Sequence, residues 1–133
     1  VAVGPPFGLR GKSPDTRRYR SVAGAERHLR DLLDLYWAGQ RAPLPFFPDA
    51  ALSFLWDDRK RNVDPDKKAR WAIQSARSKY YGRWGSSRSS WVQQAFGGVD
   101  PIAADFTVDT GEGVFAFADL ARRVLGPVLD CER

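Results

Sequence analysis

Methionine is missing from all 133 residues, position 1 included, and cysteine and histidine occur once each. Each scarcity excludes something. Without an initiator the chain reads as a fragment or a processed product, and its abrupt "VAV" start leads one to expect exposed apolar surface where a neighbouring segment packs. A lone Cys131, close to the C-terminus, excludes a disulfide framework and a Cys-rich metal site and reads as a frayed-end thiol. A lone His28, flanked by Arg27 and Arg30, has no second histidine and no serine elbow beside it, so a surface or capping role is expected rather than catalysis. No apolar run approaches the roughly 18 residues a membrane span needs, and "VAVGPPFGLRGK" has neither the basic nor the apolar region of a signal peptide. The glycines of "GEG" and "GG" match no phosphate-loop spacing. A soluble, cytoplasmic protein with no membrane partner, no cofactor and no bound metal is the expectation.

What is present suits a single domain over residues 1–133. Hydrophobic residues make up 43% of the chain, enough for one core, and 21 Lys and Arg against 16 Asp and Glu give a net charge of +5. That charge is compatible with nucleic acid and equally with an ordinary basic surface. Residues 1–20 mix glycines and prolines with short apolar pieces and read as strand and turn. Residues 21–133 read as helical, which makes the fold class mostly α (α+β) with a short β element at the N-terminus.

The helices follow from spacing and caps. Leu29, Leu32, Leu33 and Tyr36 recur at helical intervals, predicting a helix over about 22–38 that closes at Gly39 as a C′ residue. Pro48 and Asp49 suit the first turn of a second, short helix, with Ala51, Leu52, Leu55 and Trp56 as its apolar face. "DDRKRNVDPDKK" reads as a solvated turn, after which Asp64 as N-cap and Pro65 at N1 begin a third helix. Its inner face is Ala69, Ala72, Ile73, Ala76 and Tyr80, and Gly82 ends it. Ser89 or Ser90 caps a short helix through "WVQQAF", which stops at Gly97-Gly98. Phe117, Leu120, Ala121, Val124 and Val128 form the stripe of a final helix that Pro127 kinks or ends.

Between the first two helices lies "PLPFFP". Pro43, Pro45 and Pro48 fix φ and remove donors, while Leu44, Phe46 and Phe47 are too apolar for a solvated loop. The stretch reads as a stiff corner whose aromatics fill the core. A polyproline ligand for another protein is the alternative.

Two patterns carry possible chemistry. Pro48-Asp49 followed by Asp58-Arg59-Lys60 spells PD…(D/E)xK, the nuclease pattern in which two carboxylates hold Mg²⁺ and a lysine positions the attacking water. That chemistry needs adjacent strands, whereas the residues around Asp49, Asp58 and Lys60 are spaced for a helix and its exit, so the three read as a decoy. Arg70, Arg77, Lys79, Arg83 and Arg88, interleaved with Trp71, Tyr80, Tyr81 and Trp84, offer a phosphate track with stacking platforms. The plainer reading is a solvated helix face with its aromatics tucked into the core.

"AERHLRDLLDLYWAGQRAPLPFFPDAALSFL" resembles the C-terminal region of the gamma subunit of exodeoxyribonuclease V, the RecC family: a helix ending in Tyr-x-x-Gly, the proline motif, then an Ala-rich helix. "KARWAIQSA", "YYGRWG", "WVQQAFGGVDPI" and "FADLARRVLGPVL" follow in the family's order, so the likeness runs over about 22–129. It departs at "GSSRSSW", where relatives have an acidic Gly-Glu-rich link, and "TVDTGEG" looks like a local extension. The resemblance implies the helical part of a PD-(D/E)xK nuclease-like domain without a working active site. It also implies a non-catalytic scaffold for RecB-like and RecD-like subunits, reaching DNA through the full complex in double-strand-break repair and recombination. A Mg-dependent nuclease and an autonomous basic DNA-binding module stand as the alternatives.

Overall fold

The computed structural model of the chain describes residues 18–132. The order of elements is α1 (Ala25–Gly39), α2 (Pro48–Asp58), α3 (Pro65–Tyr80), a 3₁₀ turn (Ser86–Arg88), α4 (Ser90–Phe96), β1 (Val108–Asp109), β2 (Val114–Phe115) and α5 (Phe117–Cys131). Most of the strand-and-turn segment expected over 1–20 falls outside the described residues. Its last part pairs Tyr19 with Glu132 in an isolated antiparallel bridge, and the Arg20 N–H donates to the Cys131 carbonyl at 2.7 Å, so Cys131 sits half-buried in a helix end that is tied down.

The α2–α3 hairpin is the centre of the molecule. Pro48 occupies the first turn of α2, and Phe47 before it is extended (φ −131°, ψ 111°), the conformation a following proline imposes. Asp64 caps α3 by accepting the Lys67 N–H at 3.1 Å, with Pro65 next to it, as the sequence predicts. The two helices meet through Ala50 and Ala51 on one side and Ala72 and Ala76 on the other, all fully buried. Side chains this small let the backbones approach closely, and large residues fill the ends of the seam.

The proline corner supplies one end. Phe47, 4% exposed, packs on Tyr80 at 4.7 Å between ring centres and edge-on to Phe96 at 5.7 Å; Pro45 is fully buried, and Phe46 lies half-buried against the same cluster. Phe54 meets Phe117 of α5 edge-on at 5.7 Å at the other end, with Leu55 and Ala121 in the same buried cluster. The corner therefore faces the core, as its composition predicts.

Several expectations are corrected. Leu52 and Trp56 lie outside the core, and the buried face of α2 is Ala50, Ala51, Phe54 and Leu55. The apolar residues of α2 cover a wide arc opposite Asp49, Ser53 and Asp57, and periodicity alone does not choose which part of that arc is innermost. Gly39 is the last residue of α1 and has no positive φ; Gln40 caps the helix in the right-handed region. Pro127 does not end α5, which continues to Cys131. "TVDTGEGVF" forms a β-hairpin pairing Val108 with Phe115 and Asp109 with Val114, whose turn uses Gly111 at φ +81°. Helix α1 forms where the spacing predicts, and its periodic stripe faces outward: Leu29, Leu32, Leu33 and Tyr36 are exposed, and Leu35 and Ala38 are its buried residues.

Candidate functional site

Helix α1 carries apolar side chains on two opposed faces. Its inner stripe runs through His28, Asp31, Leu35 and Ala38, and its outer one through Leu29, Leu32, Leu33, Tyr36 and Trp37. At about 100° per residue the two stripes are centred roughly 150° apart. The outer residues are well exposed, Leu29 at 61% and Trp37 at 62% for instance, and Tyr36 and Trp37 stack edge-on at 5.5 Å. With an aromatic side chain presenting ~150–250 Å², the five together expose on the order of 500 Å² of apolar surface. The largest apolar patch of a typical monomer is ~300–600 Å² and is often functional.

What fixes α1 in this orientation is largely polar. Asp31 accepts hydrogen bonds from the Arg123 guanidinium of α5, Nε at 3.3 Å and Nη2 closer, and these bonds hold its carboxyl below the usual range while raising Arg123. At the far end Arg41 pairs with Glu112 of the hairpin turn at 2.8 Å. Asp31 on the inner face and Arg41 just past the helix end thus anchor α1, and the large apolar residues are left outward.

A second feature runs along the outside of the α2–α3 hairpin. Two adjoining open cavities, about 690 and 500 Å³, share Leu52, Ser53, Ser78 and Lys79, with Trp56 at one end and Trp84 at the other. Lys79 and Arg83 come from the α3 side and Asp49 from α2. Neither Lys79 nor Arg83 has a carboxylate partner among the described residues, and the Arg83 guanidinium lies 5.3 Å from the Trp84 ring centre.

The remaining sequence-singled cations have other surroundings. Arg77 pairs with Asp100 at 3.1 Å, and Asp100 also accepts the Tyr81 hydroxyl at 3.2 Å; burial, then Asp100, raises the Tyr81 pKa. Arg88 donates to the Gly82 carbonyl at 3.3 Å, and Arg70 is exposed. The aromatics of this stretch do not tuck inward as a group: Tyr80 is buried, but Trp71, Tyr81 and Trp84 are exposed, Trp84 at 88%. Sequence reasoning placed Leu52 and Trp56 on one apolar face with Ala51 and Leu55 and so missed them as lining of this groove.

The PD…(D/E)xK residues are spread over one helix and its exit. Asp49 is exposed in the first turn of α2 and Asp58 lies in its last, about 13 Å of helix rise apart, whereas a shared cation needs oxygens at ~2.0–2.6 Å. Asp58 is held bidentately by Arg122 at 2.8 and 3.0 Å, which lowers its pKa. Lys60 pairs with Asp57, which also accepts the Ser75 hydroxyl; the Lys60 bond, then the Ser75 bond, lowers the Asp57 pKa. No cluster of His, Cys, Asp and Glu among the described residues is arranged to hold a metal ion, and no helix among them is long and apolar enough to cross a membrane.

The family model of the RecC C-terminal domain matches residues 9–59, a span that contains α1, the proline corner and α2. The resemblance carried by "PLPFFP" is borne out over that segment. No curated protein and no solved structure matches the chain.

Proposed function

We propose that this chain, matched over residues 9–59 by the RecC C-terminal domain, is the non-catalytic scaffold domain of a RecC-like subunit, the exodeoxyribonuclease V gamma chain, in a RecBCD-type helicase–nuclease. The observation that carries the reading is the outward apolar face of α1: a helix pinned by ion pairs so that three leucines and two aromatics face away from its own core is built to be covered by another surface. A patch on the order of 500 Å² would supply the apolar centre of one side of a standard protein interface, which buries about 800 Å² per partner with a polar rim. RecB-like and RecD-like subunits are the partners, DNA is reached through the whole complex, and the setting is cytoplasmic repair of double-strand breaks.

A nuclease-related ancestry for the fold sits with this reading. Asp49, Asp58 and Lys60 play no part in that ancestry: they lie on one helix and its exit, with Asp58 held by Arg122 and Lys60 by Asp57.

The test is co-purification of the full-length subunit with its RecB-like and RecD-like partners. Leu33→Glu with Tyr36→Glu is expected to abolish recovery of the complex while leaving the thermal melting of the 133-residue chain within a few degrees. Full recovery of the complex by the double variant would remove α1 from the assembly.

A further inference from the structure

We propose that the groove along the outside of α2 and α3 is a docking site for an amphipathic helix of a partner protein, one whose flank facing α3 is acidic. The groove lies between two packed helices, with Leu52 and Trp56 on the α2 side and Trp84 closing the far end, so its apolar lining suits anchors at i, i+3, i+4 and i+7. Adjacent antiparallel helices leave a furrow into which a third helix packs by ridges and grooves.

Charge selects the occupant. Lys79 and Arg83, both from the α3 side and both without a carboxylate partner among the described residues, call for acidic side chains on the incoming helix. Asp49, from the α2 side, calls for neutral or basic ones on the opposite flank. This asymmetry fixes orientation as well as affinity, in the way flanking charges do in coiled coils. It fits a nucleic-acid strand poorly, because a phosphate at every nucleotide would meet Asp49, and Arg77, which would extend the cationic row, is already on Asp100. Trp56 and Trp84, large and well exposed, have the character of interface anchors.

The inference stands on the groove alone and is independent of the α1 face, so its test needs no other subunit. Three probes are titrated against the 133-residue chain by fluorescence anisotropy: a labelled amphipathic helical peptide with leucines at i, i+3, i+4 and i+7 and glutamates along one flank, the same peptide with lysines for the glutamates, and an oligo-dT strand. The acidic peptide is expected to saturate and to bind about tenfold or more tightly than the basic one, with Trp84→Ala weakening it about tenfold at unchanged melting temperature. Lys79→Glu with Arg83→Glu should invert the preference between the peptides, which a purely structural role for these exposed residues would not do. Equal binding of the two peptides, or a preference that survives the charge reversal, overturns the proposal. Tighter binding of oligo-dT, lost in Trp84→Ala, also overturns it and assigns the groove to single-stranded nucleic acid.

Discussion

Replacing Phe47 by alanine strips the proline corner of the ring that joins it to the core. Phe47 is 4% exposed and touches Tyr80 and Phe96 at 4.7 and 5.7 Å between ring centres. A buried Phe→Ala change costs about 3–5 kcal/mol, transfer and cavity together, and the two aromatic pairs put Phe47→Ala in the upper part of that range. A domain of this size has about 5–15 kcal/mol in all and loses about 4 °C of melting temperature per kcal/mol, so the expected drop is roughly 10–20 °C. Far-UV circular dichroism melts, backed by urea titration to confirm an unchanged m-value, measure it. Phe46→Ala, half-buried, should fall between Phe47→Ala and Trp84→Ala, whose ring is 88% exposed and whose melt should be unmoved. A Phe47→Ala drop under about 3 °C would refute the reasoning, since the corner would then not be fastened through this ring.

Three further outcomes are expected. Hydrogen bonds from Arg123, Lys60 and Arg122 lower the pKa of Asp31, Asp57 and Asp58 from 3.8, so their contribution is complete well above that value and is lost as the pH falls through the lowered native values; melting temperature should hold from neutral to about pH 5 and then decline, and Asp58→Asn should melt lower at pH 7 with a shallower acid decline. Gly85→Ala places a Cβ 2.2 Å from the Tyr80 carbonyl oxygen, which must displace the turn after α3; a lowered melt and a perturbed Trp84 fluorescence should report it. Incubation of the chain with linear DNA and Mg²⁺ or Mn²⁺ should leave the DNA intact, and cleavage lost in Asp58→Ala would reverse the assignment of that carboxylate to Arg122.

Local chemistry was legible in the sequence where one residue has one physical reason to be where it is. Asp64-Pro65 and Pro48 fixed two helix starts, and the composition of "PLPFFP" required a cover that Tyr80 and Phe96 provide. Orientation was less legible. Helix α1 has two stripes, and periodicity favours the one with more apolar mass as the inner face; the polar residues Asp31 and Arg41, whose partners lie 92 and 71 residues away in sequence, reverse that choice (123 − 31 and 112 − 41). Such pairings leave no local trace. For α2 the apolar residues span about two-thirds of the circumference opposite Asp49, Ser53 and Asp57, which leaves the centre of the inner face open, and Ala50, Ala51, Phe54 and Leu55 are the part buried with Ala72 and Ala76 of α3. The groove is invisible in the sequence for the same reason, since spacing puts Leu52 and Trp56 on the same apolar face as the buried Ala51 and Leu55. The hairpin at 108–115 did have a signal, alternating residues around "TGEG", too short to weigh against a loop.

The central claim, that the outer face of α1 is covered in the assembled helicase–nuclease, is tested most directly by thiol alkylation. Leu33→Cys is introduced with Cys131→Ser, and maleimide labelling at position 33, followed by peptide mass mapping, is compared for the 133-residue chain, the full-length subunit and the complex with RecB-like and RecD-like partners. Labelling is predicted to be fast in the chain alone, as the 57% exposure of Leu33 requires, and slower by about tenfold or more in the complex. A rate in the complex equal to that of the free chain would show the face open to solvent and contradict the account.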